Sequence, residues 1–428
     1  MLKIVASFIF VALSHHVFAD PSLQPFYTSV TKMAPEGKLG QIIRQEKIDT
    51  PVKGAQAWRI AYISSDASDR KTIATGLLVA PIGPAPASGR PVMSWAHGTT
   101  GSAQNCGPSQ MVNPAVPLNE YFLLSGNSWS DYGIPALEEF IKEGYVVVAT
   151  DYQGLGGGGK HQYSVAVSNG KDAINAARAA GSVKELGANK KTVIYGWSQG
   201  GGATIGAASL SDYIKQSGTA SDNLDIVGFV AMAPDYIASI APSRDLTPAQ
   251  ADKFIADGAS QFSSNVFDFT HATMYFWGTQ AAFPGLQLTD LFTEEGAKVV
   301  DTIYRNKCMH VAADTFNFLY GSNFASLLKK SPTNTMAWAK ALLNGGPALV
   351  KLAAPVMIYF GDKDTTMPPV MSRIYQEQMC KLGSNVGRMQ LPGEQNHFTT
   401  PPTAKQFYLP WIKDRVSGRA LPNACPQG

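Results

Sequence analysis

The stretch that decides the fold is residues 195–202, YGWSQGGG. An apolar run at residues 192–195 leads into it, and small residues at 203–210 follow it. A G-x-S-x-G motif between a strand and a helix is typical of a nucleophile elbow, in which a serine is held on a sharp turn. Side chains two residues away on either side would collide there, so Gly196 and Gly200 are needed. We therefore predict that Ser198 is a nucleophile.

Length and composition limit the domain organisation of the chain and the partners it can bind. The chain has 428 residues and 45% hydrophobic residues, enough for one large domain with an insertion or for two ordinary domains. The formal net charge is +3, and charged residues make up only 16%. Such a chain has no basic field for nucleic acid, so we expect no nucleic-acid partner.

The N-terminus resembles a secretory signal. Lys3 gives a positive start, residues 4–13 are mainly apolar, and small residues precede a cleavage site after Ala19. An apolar run of this length is too short to span a bilayer, which needs about 20 residues. We predict cleavage after Ala19, a secreted or periplasmic location, and no transmembrane anchor.

The cysteines suit an oxidising compartment. All four lie after the predicted signal, at Cys106, Cys308, Cys380 and Cys425, and their number allows two disulfides. No C-x-x-C spacing occurs, which argues against a zinc or redox motif. Three connectivities are open from the sequence, and we favour pairing in chain order.

Strand-like and helix-like segments alternate along most of the chain. A hairpin is predicted at residues 57–64 and 72–80, and buried strands at 92–96, 145–150, 192–195, 226–232, 355–360 and 386–391. Helices are predicted at 134–143, 169–181 and 404–416. This alternation predicts an α/β fold with a mostly parallel central sheet and helices on both faces.

The alternation stops between residues 233 and 352. This stretch is rich in aromatic residues and predicts several amphipathic helices. We divide the chain into a signal peptide (1–19), a first part of the core with an N-terminal extension (20–232), a helical cap (233–352) and a second part of the core (353–428). Some cap rings should form a second packed core, and the others should face the serine and bind a hydrophobic substrate.

A catalytic serine needs a base, and the order of residues selects it. In this fold class the order is serine, acid, histidine. His97 and His161 precede Ser198, and the two histidines of the cap, at positions 271 and 310, precede the post-cap carboxylates. His397, just after the last predicted strand, is therefore the predicted base.

The orienting acid should follow the strand that ends near residue 360. Two carboxylates lie there, and Asp364 is better placed than Asp362, which suits a turn or capping role. Glu394 is a distant third candidate.

An oxyanion hole needs two backbone N–H groups. We expect one from Gln199, directly after the nucleophile, and the other from Thr99 in the loop after the strand at 92–96. His97 should orient this loop rather than transfer protons.

One other motif resembles a phosphate-binding loop. Residues 154–160 read GLGGGGK, but His161 stands where a serine or threonine should hold magnesium. We interpret the segment as a flexible rim of the active site.

Taken together, several motifs resemble the secretory lipase family of α/β-hydrolases, the lipase A-like group. They are residues 97–101 (HGTTG), 151–156 (DYQGLG) with His161 and Tyr163 behind, 196–201 (GWSQGG), 361–364 (GDKD), and Asn396 with His397. The resemblance implies a helical cap after the sixth core strand and cleavage of carboxylic esters of apolar acids. It also implies Cys106–Cys308 and Cys380–Cys425 disulfides. Residues 156–159, four glycines, depart from the proline-containing loop of that family.

We therefore predict a secreted serine ester hydrolase, a lipase or carboxylesterase, that needs no cofactor and no metal. Its partners are small-molecule or lipid esters, with a lipid–water interface as a further candidate, and the oligomeric state is open. The alternatives are a short-chain esterase or polyester hydrolase, a serine peptidase and an acyltransferase. A non-enzymatic binding module on the same fold would require the loss of a catalytic residue, whereas all three candidates are present.

Overall fold

The structure is a computed structural model, and its description covers residues 23–111, 113–118, 132–241, 243–261, 263 and 265–426. The predicted signal peptide lies outside these residues. Within the described part of the chain, every helix is too short or too polar to traverse a lipid bilayer.

A single open sheet forms the centre of the molecule. Its strands in the described residues are β1 (Ile42–Ile48), β2 (Ala55–Ser65), β3 (Lys71–Pro81), β4 (Arg90–Ala96), β5 (Val146–Gln153), β6 (Ala188–Trp197), β7 (Asp225–Met232), β8 (Val356–Phe360) and β9 (Val386–Gln390). Their spatial order is β1-β2-β3-β5-β4-β6-β7-β8-β9. The first three and β5 pair antiparallel, and every pairing from β5 through β9 is parallel. The predicted mostly parallel sheet is confirmed.

One strand was not predicted. The predicted N-terminal extension contains this strand, since β1 pairs with β2 at the edge of the sheet. The side chains of β1 are exposed or only partly buried, so the strand lacks the alternating pattern that a half-buried strand shows. Backbone pairing with β2 and the partly buried Ile42 and Ile43 place it there.

The helices of the described residues are α1 (Pro25–Val30), α2 (Leu137–Lys142), α3 (Ala166–Ser182), α4 (Gln199–Ala208), α5 (Ser211–Ile214), α6 (Pro248–Gln261), α7 (Val266–Ala282), α8 (Glu294–Asn306), α9 (Met309–Tyr320), α10 (Thr335–Gly345), α11 (Pro369–Lys381) and α12 (Thr400–Val416).

Helices cover both faces of the sheet because successive side chains of a strand point to opposite faces. On β6, Val193 and Tyr195 join a core with α2 and α12, whereas Ile194 joins a core with α4 and α11. α3 also packs on the second face, through Ala176 and Ala180. Because helices cover both faces of the sheet, we look for polar functional side chains at the carboxyl ends of the strands.

The segment between β7 and β8, which we call the insertion, carries helices α6 to α10. These helices form their own aromatic core, with Trp277, Phe292, Tyr304, Phe316 and Trp338 buried in it. The insertion follows the sixth strand counted from the β2–β3 hairpin, since β1 precedes the hairpin.

Two disulfides tie distant parts of the chain together. Cys106, in the loop after β4, is bonded to Cys308 at the start of α9, and Cys380 of α11 is bonded to Cys425 near the C-terminus. The first bond holds the insertion to the loop that follows a central strand. The pairing is the one that the family resemblance implied.

Candidate active site

Ser198 occupies a strained turn between β6 and α4. Its backbone has φ 58° and ψ −119°, a conformation that costs free energy for a residue with a side chain. A Cβ on Gly200 would lie 1.9 Å from the carbonyl oxygen of Ala96, and a Cβ on Gly196 would lie 2.2 Å from the carbonyl oxygen of Gly200. The two glycines are therefore required by contact, and the turn projects Ser198 at the carboxyl edge of the sheet.

The structure brings together the three residues expected to act on a substrate. The Ser198 Oγ atom lies 2.8 Å from Nε2 of His397, and Nδ1 of His397 lies 2.8 Å from Oδ2 of Asp364. All three residues are buried, at 7%, 3% and 3% exposure for Ser198, His397 and Asp364. Because a carboxylate can only accept, Nδ1 carries the proton, which leaves Nε2 free to accept the serine hydroxyl proton.

Asp364 is held in place by its own loop. Its Oδ1 atom accepts the N–H groups of Thr366 and Met367, at 3.0 and 2.7 Å, so Oδ2 remains for His397. The other acid candidates make different contacts. Asp362 accepts the N–H of Gln395, and the 84% exposed side chain of Glu394 lies 3.9 Å from Lys363.

His397 is also fixed through its backbone. The indole N–H of Trp197 donates to the His397 carbonyl oxygen at 3.0 Å, and the two rings lie 5.1 Å apart. The residue before the nucleophile thus positions the base. Sequence reasoning did not assign this role to Trp197, because the bond spans 200 residues of chain.

The two residues expected to form an oxyanion hole have different surroundings. Gln199 begins α4, so its N–H is one of the helix N–H groups without an intrahelical acceptor. Thr99 lines the same cavity as Ser198 and His397. Its hydroxyl lies 2.7 Å from the hydroxyl of Tyr163, which fixes the side chain.

A buried network fixes the Gln199 side chain. Its Nε2 atom lies 3.0 Å from Nε2 of His161 and 3.1 Å from Oδ1 of Asn169. His161 Nδ1 lies 2.8 Å from the carbonyl oxygen of Gln153, so Nδ1 donates and Nε2 accepts. Burial lowers the pKa of His161 to about 3, which keeps the ring neutral and able to accept. The motif residue His161 therefore supports the elbow without contacting Ser198.

His97 has a comparable role in the preceding loop. Its Nδ1 atom lies 2.5 Å from the Gly98 carbonyl oxygen, and its own carbonyl oxygen accepts the hydroxyl of Tyr152 at 2.8 Å. Burial lowers its pKa to about 4. The ring orients the Thr99 loop, in agreement with the sequence expectation.

Ser198 opens into a cavity of about 300 Å³, which we call the serine cavity. The insertion closes it with Phe267, His271, Met309 and His310, from α7 and α9. Both histidines of the insertion thus line the cavity into which Ser198 opens. Burial lowers the pKa of His271 to about 4.

A larger cavity of about 740 Å³ adjoins the serine cavity, and we call it the apolar cavity. The two cavities share His271 and Thr366 as lining residues. Most of its wall is apolar and comes from the insertion, including Ile237, Ile240, Phe254, Ile255, Phe276 and Leu342. Its lining suits a mainly apolar ligand.

The glycine-rich segment at 154–160 differs from the flexible rim that we expected. The Oε1 atom of Gln104 accepts the N–H groups of Gly156 and Gly158, at 3.1 and 2.9 Å. A Cβ on Gly157 would lie 2.0 Å from the Ile73 carbonyl oxygen, so glycine allows tight packing on β3. Lys160 pairs with Asp301 at 2.9 Å. Two amides that a phosphate-binding loop would offer are thus already bonded, and no residue of the segment lines either cavity in the described structure.

In the residues that the structure describes, no cluster of three or more histidine, cysteine or carboxylate side chains could hold a metal ion.

Sequence comparison finds that this chain is similar to secretory lipases. Residues 131–239 match the model of the family described as secretory lipase. Lipase 9 of Candida albicans is 22% identical over 95% of this chain and 84% of its own length. The secreted triacylglycerol lipase LIP3 of Malassezia globosa is 23% identical over 95% and 83%. The resemblance predicted from the motifs is confirmed.

Solved structures give the same fold. Candida antarctica lipase A in its closed state superposes with a TM-score of 0.68 at 19% identity, covering 95% of this chain and 89% of that one. The rice cell wall degrading esterase LipA of Xanthomonas oryzae superposes with a TM-score of 0.65 at 16% identity, covering 90% and 100%. The chain has the α/β-hydrolase fold that the sequence predicted.

Proposed function

We propose that this relative of the secretory lipases is a secreted serine hydrolase that cleaves carboxylic esters of apolar acyl chains. The observation that carries the proposal is the hydrogen-bonded series from Ser198 through His397 to Asp364, with two contacts of 2.8 Å. A nucleophile, a base and an orienting acid in this arrangement serve acyl transfer.

The chemistry follows from the position of each group. His397 Nε2 takes the proton of Ser198 as its oxygen attacks the ester carbonyl, and Asp364 stabilises the resulting imidazolium. The N–H groups of Thr99 and Gln199 hold the developing oxyanion. His397 then gives its proton to the leaving alcohol, and water attacks the acyl-enzyme with His397 again as base. This sequence of steps asks for no cofactor and no metal.

The apolar cavity is the proposed binding site for the acyl chain. It adjoins the serine cavity at His271 and Thr366, so a chain bound there can place its carbonyl carbon at Ser198. In this scheme residues 20–232 and 353–428 supply the catalytic core, and residues 233–352 act as a cap that covers the substrate. A lipid–water interface is a candidate place of action.

Export follows from the predicted signal at residues 1–19, with cleavage after Ala19, and the Malassezia globosa relative is named a secreted lipase. Purification from the culture medium or the periplasm and N-terminal sequencing should give a chain that starts at Asp20. A mature chain that begins at Met1 would contradict export by this signal.

A short-chain esterase or polyester hydrolase is the second candidate, favoured by the structural match to an esterase that degrades cell walls. A series of 4-nitrophenyl esters, a triglyceride emulsion and matched amides separates the candidates. We expect activity to rise with acyl length and to include the emulsion, with amides uncut, and Ser198→Ala to abolish turnover. Activity limited to acetyl and butyryl esters would favour the second candidate, and activity retained by Ser198→Ala would contradict both.

A further inference from the structure

A carboxylate that the triad does not use lies beside the nucleophile. Asp235 follows the carboxyl end of β7, and its N–H donates to the carbonyl oxygen of Ser198 at 3.2 Å. A Cβ on Gly202, in the first turn of α4, would lie 3.2 Å from the Cβ of Asp235. The Asp235 side chain therefore starts next to the backbone that holds Ser198.

The side chain of Asp235 lines the apolar cavity. It accepts a hydrogen bond from the hydroxyl of Ser164, and burial raises its pKa to about 6. A charged group in an apolar wall is costly unless it is hydrogen-bonded. A carboxylate offers about four acceptor positions, so a donor beyond Ser164 can be accommodated.

A second acceptor, His271, lies where the apolar cavity adjoins the serine cavity. His271 lines both cavities, and its Nδ1 atom lies 3.0 Å from the carbonyl oxygen of Phe267 on its own helix. The carbonyl can only accept, so Nδ1 carries the proton and Nε2 of the neutral ring is an acceptor. The mainly apolar cavity thus presents two hydrogen-bond acceptors, Asp235 and His271, to whatever it holds.

We propose that Asp235 is a specificity residue that accepts a hydrogen bond from a hydroxyl group on the acyl chain near the scissile carbonyl. The preferred substrates are then esters of apolar acids that carry such a hydroxyl. This inference rests on the proposed ester hydrolysis and adds the class of acyl group.

The expected size of the effect follows from the chemistry of the pair. A hydrogen bond to a charged acceptor contributes about 1.5–3 kcal/mol, which corresponds to a factor of about 10–100. Asp235 is fixed on one wall of the cavity, so it should also distinguish the two enantiomers of a hydroxy acid. Plain acyl chains offer the carboxylate no such donor and forgo that gain.

The test compares ethyl hexanoate with the (R) and (S) forms of ethyl 3-hydroxyhexanoate in a pH-stat assay of the full-length protein. For the unmodified protein we expect kcat/KM for one enantiomer to exceed that for hexanoate by about 10-fold or more. In Asp235→Leu this ratio should fall by about 10–100-fold. The ratio is the readout because any general effect of Asp235 on His397 acts on all three esters and cancels.

Two further variants complete the design. Asp225→Leu, at the exposed opposite end of β7, should leave the ratio unchanged. Asp235→Asn keeps the shape of the side chain and should lower the ratio less than leucine does, which covers the case in which Asp235→Leu does not fold.

The outcomes are distinguishable. Equal loss for all three esters in the Asp235 variants, or a preference of the unmodified protein for hexanoate over both enantiomers, would overturn the role of Asp235 and leave ester hydrolysis intact. Failure of the unmodified protein to cleave any of the three would count against the proposed function itself.

Discussion

At the scale of single residues, the two carboxylates of the loop after β8 have different environments. Asp364 is buried and contacts His397 at 2.8 Å, whereas Asp362 accepts a backbone N–H and lies 3.6 Å from Lys363. They are two residues apart and chemically identical. Their difference in role is therefore open to a direct comparison of matched variants.

We expect Asp364→Asn to lower kcat by about 10³–10⁴-fold, because an amide does not hold the imidazole in the tautomer that accepts the serine proton. Asp362→Asn should change kcat by less than about 3-fold, because it removes only a loop contact and a surface ion pair. Both are measured with one good ester substrate. A larger loss of kcat for Asp362→Asn than for Asp364→Asn would contradict the assignment of Asp364 as the orienting acid.

A second prediction at this scale concerns His161. Its folded-state pKa, about 3, lies below the ordinary histidine value, so the unfolded chain binds a proton that the folded chain excludes. The unmodified protein therefore loses stability as pH falls below about 6.5, by about 1.4 kcal/mol for each pH unit.

His161→Gln removes this loss, since glutamine can still donate to Gln153 and accept from Gln199. Urea midpoints at pH 7 and pH 5 should therefore fall more for the unmodified protein than for the variant. Parallel pH profiles of the two midpoints would show that His161 is not held neutral.

At the scale of elements, the turn at Ser198 requires close backbone contact between the end of β4, the end of β6 and the start of α4. No side chain fits between these three segments. The contact of Gly200 with Ala96 joins the start of α4 to the end of β4 at a distance that no Cβ fits. The same approach brings the first turn of α4, which begins at Gln199, against the end of β4, after which the Thr99 loop begins, so packing and chemistry depend on the same glycine.

We expect Gly200→Ala to destabilise the protein by about 3 kcal/mol or more, because the added methyl group meets backbone atoms that cannot give way. Gly258→Ala is the control. A Cβ on Gly258, inside α6, has no atom within 4 Å, and alanine favours a helix, so this variant should be neutral or slightly stabilising. Thermal unfolding of the purified variants checks both, and equal melting temperatures for Gly200→Ala and the unmodified protein would contradict the steric argument.

At the scale of the whole molecule, the two disulfides have different tasks. The Cys106–Cys308 bond joins the loop after β4 to α9, whose first residues, Met309 and His310, line the serine cavity. The Cys380–Cys425 bond fastens the C-terminal segment to α11, away from both cavities. Loss of either should reduce stability, but only the first should disturb the site.

The chain-entropy model gives an upper value of about 4–5 kcal/mol for each bond. We expect the double variants Cys106→Ser/Cys308→Ser and Cys380→Ser/Cys425→Ser both to melt at lower temperature. Below their melting temperatures, the first should also lose ester turnover and the second should keep it. Full activity in the first double variant would show that α9 is held at the site without the disulfide.

The sequence predicted those parts of the molecule that local patterns encode. The buried strands and the elbow are visible in short windows of residues, and the chain order of serine, acid and histidine then led to Ser198, Asp364 and His397. The edge strand β1 was missed because its side chains are mostly exposed and its pairing is made by backbone groups. The tightly packed glycine segment at 154–160 was taken for a flexible rim because its partners, Gln104 and Ile73, are remote in the chain.

Contacts across long separations account for the rest. The bond from Trp197 to His397 and the position of Asp235 in the apolar cavity have no signature in the sequence, although a carboxylate just beyond a strand end is a place to look. The assignment of Ser198 as the nucleophile, in contrast, has support from both sequence and structure. The G-x-S-x-G motif indicates the residue, and the contact with His397 supplies its base.

The most direct test of that claim is labelling with a fluorophosphonate probe followed by peptide mass spectrometry. The probe reacts with a serine only when a base activates it, so we expect one added phosphonyl group, on Ser198, and its loss in His397→Ala with the fold retained. Labelling at another residue, or none in a folded and ester-cleaving protein, would contradict the assignment of Ser198 as the nucleophile.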